Sequence, residues 1–92
     1  SGAMIPVKQV KKVLESAILL ETHKKVLMCV TGVSLPRATA ILEKFNMQAL
    51  LYTTSVDDIA NISINSRRLG EALATRLLVA LRTTTLTESS GT

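Results

Sequence analysis

Val30-Thr31-Gly32-Val33-Ser34-Leu35-Pro36-Arg37-Ala38 is the stretch on which the fold turns. Gly32 tolerates the left-handed backbone that a sharp corner needs. Ser34 is a helix N-cap residue type, and Pro36 fits a first helical turn. Apolar residues recur at helical spacing on both sides. The reading is therefore two helices joined by a tight hairpin.

Before the hairpin, Val7, Val10, Val13, Leu14, Ala17 and Ile18 recur with a helical period, and Lys8, Lys11, Lys12 and Glu15 take the other side. This predicts a first helix from Pro6 to Glu21. Thr22 is a capping type, which predicts a separate short helix from His23 to Val30 with Val26, Leu27 and Val30 inward. After the hairpin, the spacing predicts a helix to Phe45 with Leu35, Ala38, Ile41, Leu42 and Phe45 inward. Asn46 caps a short helix over Met47 to Tyr52. Ser55-Val56-Asp57-Asp58 opens another, ending near Asn61, with carboxylates where the helix dipole favours them. Ile62 to Arg68 reads as an irregular polar loop. A last helix, from Gly70 to Thr83, turns Leu73, Ala74, Leu77, Ala80 and Leu81 inward. The expected class is all-α, a bundle of five to six short helices.

A chain of 92 residues makes one small domain. Residues 1–4 read as an expression-tag remnant, 5–84 as the domain and 85–92 as a disordered tail. A core of this size is marginal and gains from a partner. Tyr52 and Phe45 are the aromatic residues, so the core is aliphatic. The net charge of +4, with a pI near 9.7, favours a polyanion. A single cysteine, Cys29, allows no internal disulfide and suits a reducing compartment. Cys29 reads as a small core or interface residue, and His23 as a surface residue. Neither a membrane span nor a zinc ligand set is legible. Asp57 and Asp58 read as helix-start charges rather than metal ligands. Ser34 has no partner histidine nearby in sequence, so no catalytic residue is assigned.

Shifting the sequence by 36 residues lays Gly32 to Ala38 on Arg68 to Ala74, and Ile41, Leu42 and Phe45 on Leu77, Leu78 and Leu81. Two helix–turn–helix units in tandem are the expectation. The amides at a helix N-terminus lack intrahelical partners and, with the helix dipole, favour an anion. Gly32, Val33 and Ser34 would form one phosphate cradle with Arg37 as its side-chain contact. Arg67, Arg68 and Gly70 would form the other, with Arg76 beyond. Two cradles in approximate two-fold relation would meet phosphates on both strands of a duplex. Such contacts position a protein on nucleic acid without reading its sequence.

These residues resemble the tandem helix-hairpin-helix domain of the XPF-type structure-specific endonuclease family. Val30 to Phe45 is similar to the first hairpin and its following helix. Ser66 to Leu77 (SRRLGEALATRL) is similar to the degenerate second hairpin of EME-type, non-catalytic subunits; a Fanconi-pathway or meiotic crossover relative is also compatible. Ser34 stands where the family has a second glycine, and Arg68 where the second hairpin has its first. The resemblance implies a nuclear, non-catalytic domain of a repair or recombination complex. It implies binding to branched or single-strand/double-strand junction DNA, and pairing with a subunit that carries a matching domain. On the resemblance, DNA contacts would fall on Gly32, Val33, Ser34, Arg37, Arg67, Arg68 and Gly70, and the residue pattern adds Arg76. Leu50, Leu51 and Tyr52 read as either an exposed interface patch or core, and Leu78 and Leu81 on the last helix are expected to carry a protein interface. No cofactor, metal, membrane or small-molecule ligand is expected. The alternative is a pure docking domain that does not touch DNA.

Overall fold

A computed structural model describes the backbone of residues 6–90 and the side chains of residues 6–84. The expected tag remnant, and the last two residues of the expected tail, lie outside the described residues. Within them the order is α1 (Val7–Met28), α2 (Leu35–Lys44), α3 (Met47–Tyr52), α4 (Val56–Ala60), β1 (Ser63–Ile64), β2 (Arg67–Arg68) and α5 (Glu71–Ser90). The chain is thus mostly helical, as expected, with one short β-ribbon added.

Each short helix begins where its capping chemistry places it. The Asn46 side chain accepts from the Ala49 amide at 2.8 Å and starts α3. The Ser55 hydroxyl accepts from the Asp58 amide at 3.1 Å, while the Asp58 carboxylate accepts from the Ser55 amide at 3.0 Å. That reciprocal pair satisfies two donors at the start of α4. It also holds the Asp58 carboxyl below its ordinary range, first through the backbone amide and then through the hydroxyl.

Three sequence expectations are corrected. Helices predicted over Pro6–Glu21 and His23–Val30 are one continuous α1. Thr22 does not cap there; its hydroxyl donates back to the Ile18 carbonyl at 3.0 Å, a bond compatible with a helix interior. The loop predicted over Ile62 to Arg68 is an antiparallel hairpin pairing Ser63 with Arg68 and Ile64 with Arg67. Asn65 (φ 52°) and Ser66 (φ 66°) make its turn, two successive left-handed residues as a two-residue hairpin requires. Finally, the backbone of α5 continues to Ser90, beyond the predicted end near Thr83.

The core is aliphatic. Leu27, Ile41, Leu50, Ile59 and Leu77 are its largest fully buried side chains, with Val30, Val33, Ala38, Ile62, Ala74, Leu78 and Leu81 around them. Leu35, predicted inward, is exposed, because it starts α2 on the solvent side of the hairpin. α1 packs on α2, α4 packs on α5, and α3 packs on α5. The 36-residue offset is visible in this packing: α2 starts at Leu35 and α5 at Glu71. Ala38 and Ala74 are both fully buried where the helices approach, as are Ile41 and Leu77 one turn later. The connections differ. Residues 29–34 join α1 to α2, whereas residues 61–70 join α4 to α5, and the longer connection holds the ribbon.

Arg82 ties α5 to α3 and the turn after it. Its Nε donates to the Leu50 carbonyl at 3.2 Å, and its Nη2 donates to the Thr54 carbonyl. Thr54 is the buried polar residue of the core, and its hydroxyl donates to the Ala49 carbonyl at 2.7 Å. By contrast, the first turns of α1 have no tertiary cover. Val7, Val10, Val13, Leu14 and Ile18 are between 48% and 82% exposed. The radius of gyration, 15.9 Å, accordingly exceeds the value of about 12 Å for a compact chain of this length.

Candidate nucleic-acid interface

The first hairpin closes through short-range backbone bonds. The Val30 amide donates to the Leu27 carbonyl at 3.1 Å, and the Val33 amide to the Val30 carbonyl at 3.0 Å. Gly32 has φ +94°, so the corner requires the conformation that glycine supplies. α2 then begins with Ser34 at its N-cap position and no side-chain cap bond. The first intrahelical donor is Ala38, to the Ser34 carbonyl at 2.9 Å. Among the described residues, the amides of Ser34, Leu35 and Arg37 have no protein acceptor. There is also no acidic residue in the first turn of α2. An exposed hydroxyl, unpaired amides and the positive helix end thus coincide, which is the physical requirement for holding an anion.

The second connection differs from the expectation. The Gly70 amide donates to the Ala60 carbonyl at 3.1 Å, and the Leu69 amide to the Ile62 carbonyl at 2.9 Å. Gly70 has φ +88°, and nothing lies within 4 Å of a Cβ built on it. Its role is to turn the ribbon into α5, and its amide is not free for a phosphate. Val33 is corrected in the same way. Its side chain is buried and its amide is already bonded, so neither end faces a ligand. The carboxylate of Glu71 in the first turn of α5 also opposes an anion there.

Two separate cradles are therefore not what the structure presents. Instead, the ribbon brings Arg67 and Arg68 against the start of α2. Ser34, Pro36 and Arg37 from the first hairpin, with Ile64, Asn65, Arg67, Arg68 and Leu69 from the ribbon, line one cleft of about 490 Å³. It carries three guanidinium groups and no carboxylate. Arg37 has one donor committed, Nη1 to the Gly32 carbonyl at 2.6 Å. A guanidinium has five donors in all, so most of that group stays available. Arg76, expected beside the second cradle, lies elsewhere, with its Nη1 on the Thr31 carbonyl at 2.7 Å.

The residues expected at a protein interface also separate. Leu50, Leu78 and Leu81 are buried in the core and offer little surface to a partner. They sit on α3 and α5, which pack on each other. Leu51 is half-buried and Tyr52 exposed. Leu51, Val26, Cys29, Met47, Ala80 and Leu81 line an apolar groove of about 650 Å³, together with Thr31 and Arg76. Cys29 is exposed on that groove rather than buried, and its Sγ donates to the Lys25 carbonyl at 3.4 Å. Sequence reasoning missed both this groove and the role of Arg82. Each depends on which helix faces meet, and no local spacing encodes that.

Among the described residues, no group of three or more His, Cys, Asp and Glu could hold a metal ion, and no helix is long and apolar enough to cross a membrane. Compared with known proteins, the chain matches no family model, no curated protein and no solved structure.

Proposed function

We propose that this chain is a non-catalytic, tandem helix-hairpin-helix domain of the XPF type that binds the phosphate backbone of branched or junction DNA in a nuclear repair or recombination complex. The observation that carries the reading is the single cleft where Ser34 and Arg37 meet Arg67 and Arg68 without any carboxylate. Because both connections reach one cleft, they hold neighbouring phosphates of one strand rather than one phosphate on each strand. Binding of this kind follows backbone shape and is strongly salt-dependent. As a binding module the domain needs no catalytic group; its arginines and amides bind and orient.

The direct test is a fluorescence titration of labelled junction DNA at several salt concentrations. Replacing Arg67 and Arg68 with Glu weakens binding and flattens the slope of log affinity against log salt by about 0.9 for each phosphate no longer neutralised. Unchanged affinity and slope would remove the ribbon from the interface.

A second reading, docking onto a partner subunit with a matching domain, is favoured by one separate observation. The apolar stripe along Val7, Val10, Leu14 and Ile18 of α1 has no cover among the described residues. The two readings concern different surfaces and are compatible.

A further inference from the structure

The first hairpin is held in a way that phosphate contact alone does not require. Arg76 sits in the second turn of α5, distant in sequence from the hairpin. Its Nη1 donates to the Thr31 carbonyl at 2.7 Å across 45 residues of chain. Arg37 donates to the next carbonyl, that of Gly32, at 2.6 Å. Two successive carbonyls of one corner are thus each fixed by a guanidinium.

The same Arg76 Nη1 lies 3.0 Å from the position that a Cβ on Gly32 would take, with Leu73 Cδ1 at 3.3 Å. A side chain at Gly32 would thus press on the Arg76 guanidinium in addition to the strain of its φ. Arg76 does not line the arginine cleft. It lines the apolar groove behind the corner, with Cys29, Thr31 and Ala80. In a trans peptide the carbonyl and the following N–H point in opposite directions. Holding the Thr31 carbonyl on the groove side therefore turns the Gly32 amide away from the groove. A charged donor on that carbonyl also polarises the peptide, which strengthens its N–H as a donor.

From this geometry we infer that Arg76 is a positioning residue. It makes no contact with the nucleic acid but locks the Thr31–Gly32 peptide from behind, so that the start of α2 is presented in a fixed orientation. The inference rests on the reading that the cleft takes phosphates. It reassigns the one arginine of the expected DNA-contacting set that stands outside the cleft.

The test compares Arg76→Met, Arg76→Lys and Arg67→Met in two measurements. The first is hydrogen exchange of the Val33 amide in the DNA-free chain, since the bond from Val33 to Val30 reports closure of the corner. Arg76→Met accelerates it about tenfold, as expected for loss of one charge-assisted hydrogen bond, while the Leu77 amide, in the core, is much less affected. The second is affinity for a fluorescent DNA duplex across a salt series. Arg76→Met weakens binding about tenfold at every salt concentration and leaves the salt slope unchanged. Arg67→Met instead lowers the slope by about 0.9. Arg76→Lys keeps the charge without the planar fork and restores only part of the affinity, again at unchanged slope.

Unchanged Val33 exchange in both Arg76 variants overturns the bracing role whether or not DNA binds. A slope lowered by about 0.9 in Arg76→Met overturns the positioning assignment in favour of direct phosphate contact. Faster exchange with unaltered affinity separates the brace from binding and also overturns it. Failure of the unsubstituted chain to bind DNA refutes the phosphate reading instead, and the exchange measurement still decides the brace.

Discussion

Gly32 and Gly70 have nearly the same backbone, φ +94° and φ +88°, but different surroundings. A methyl group on Gly32 would meet the Arg76 guanidinium and Leu73, whereas one on Gly70 would meet open space. Gly32→Ala therefore costs about 2 kcal/mol, through left-handed strain added to displaced packing. Gly70→Ala costs about 1 kcal/mol, from strain alone. Urea unfolding of the two variants checks the order, and equal losses would mean that Arg76 yields freely. Gly32 was legible as a corner because its neighbours are strong helix-start types. The closeness of Arg76 was not, since the contact joins residues on two helices. The amide of Val33 illustrates the same limit. Its sequence position suggests a donor for phosphate, but the corner closes so tightly that Val30 takes that donor first.

At the scale of elements, capping chemistry was the readable signal. Asn46 and Ser55 start α3 and α4 where the sequence places them, because each side chain satisfies an amide three residues on. Removing the Ser55 hydroxyl, Ser55→Ala, costs about 1 kcal/mol of stability in urea unfolding. The pair also carries a pH dependence of definite sign. The Asp58 carboxyl is held below the ordinary aspartate value of 3.8, so its contribution is complete above that value and is lost as pH falls through the lowered one. An NMR titration of the Asp58 carboxyl carbon should therefore find a midpoint under 3.8 in the native chain and a return toward 3.8 in Ser55→Ala. No difference between the two would contradict the capping pair. Two elements were misread for physical reasons. Thr22 has capping chemistry, but its hydroxyl can equally bond the preceding turn, and nothing local decides between the two. The ribbon's strands have two residues each, too few for an alternating pattern to register. Its turn is Asn-Ser rather than the strongly marked Asn-Gly.

At the scale of the whole molecule, two surfaces stand apart from the core. The basic cleft follows from the packing of α4 and α5, which sets the ribbon beside the start of α2. Its separate arginines were visible in the sequence, and their convergence was not. The other surface is the exposed stripe of α1. Val10→Gln with Leu14→Gln should leave the unfolding midpoint of the isolated chain unchanged, because neither side chain packs on the rest of the domain. Under the docking reading the same pair of substitutions abolishes the heavier species that light scattering detects when a partner subunit is added. A loss of stability in the isolated chain would mean instead that α1 folds back onto its own domain.

Under the proposed function, the start of α2 and the ribbon form one phosphate-binding cleft. The measurement that reaches it most directly is NMR amide mapping of the labelled chain during titration with a short DNA junction. The largest shifts are expected together on Ser34, Leu35, Arg37, Arg67 and Arg68, fading as salt is raised. Shifts confined to the lysines of α1, with the start of α2 and the ribbon unmoved at saturating DNA, would contradict it.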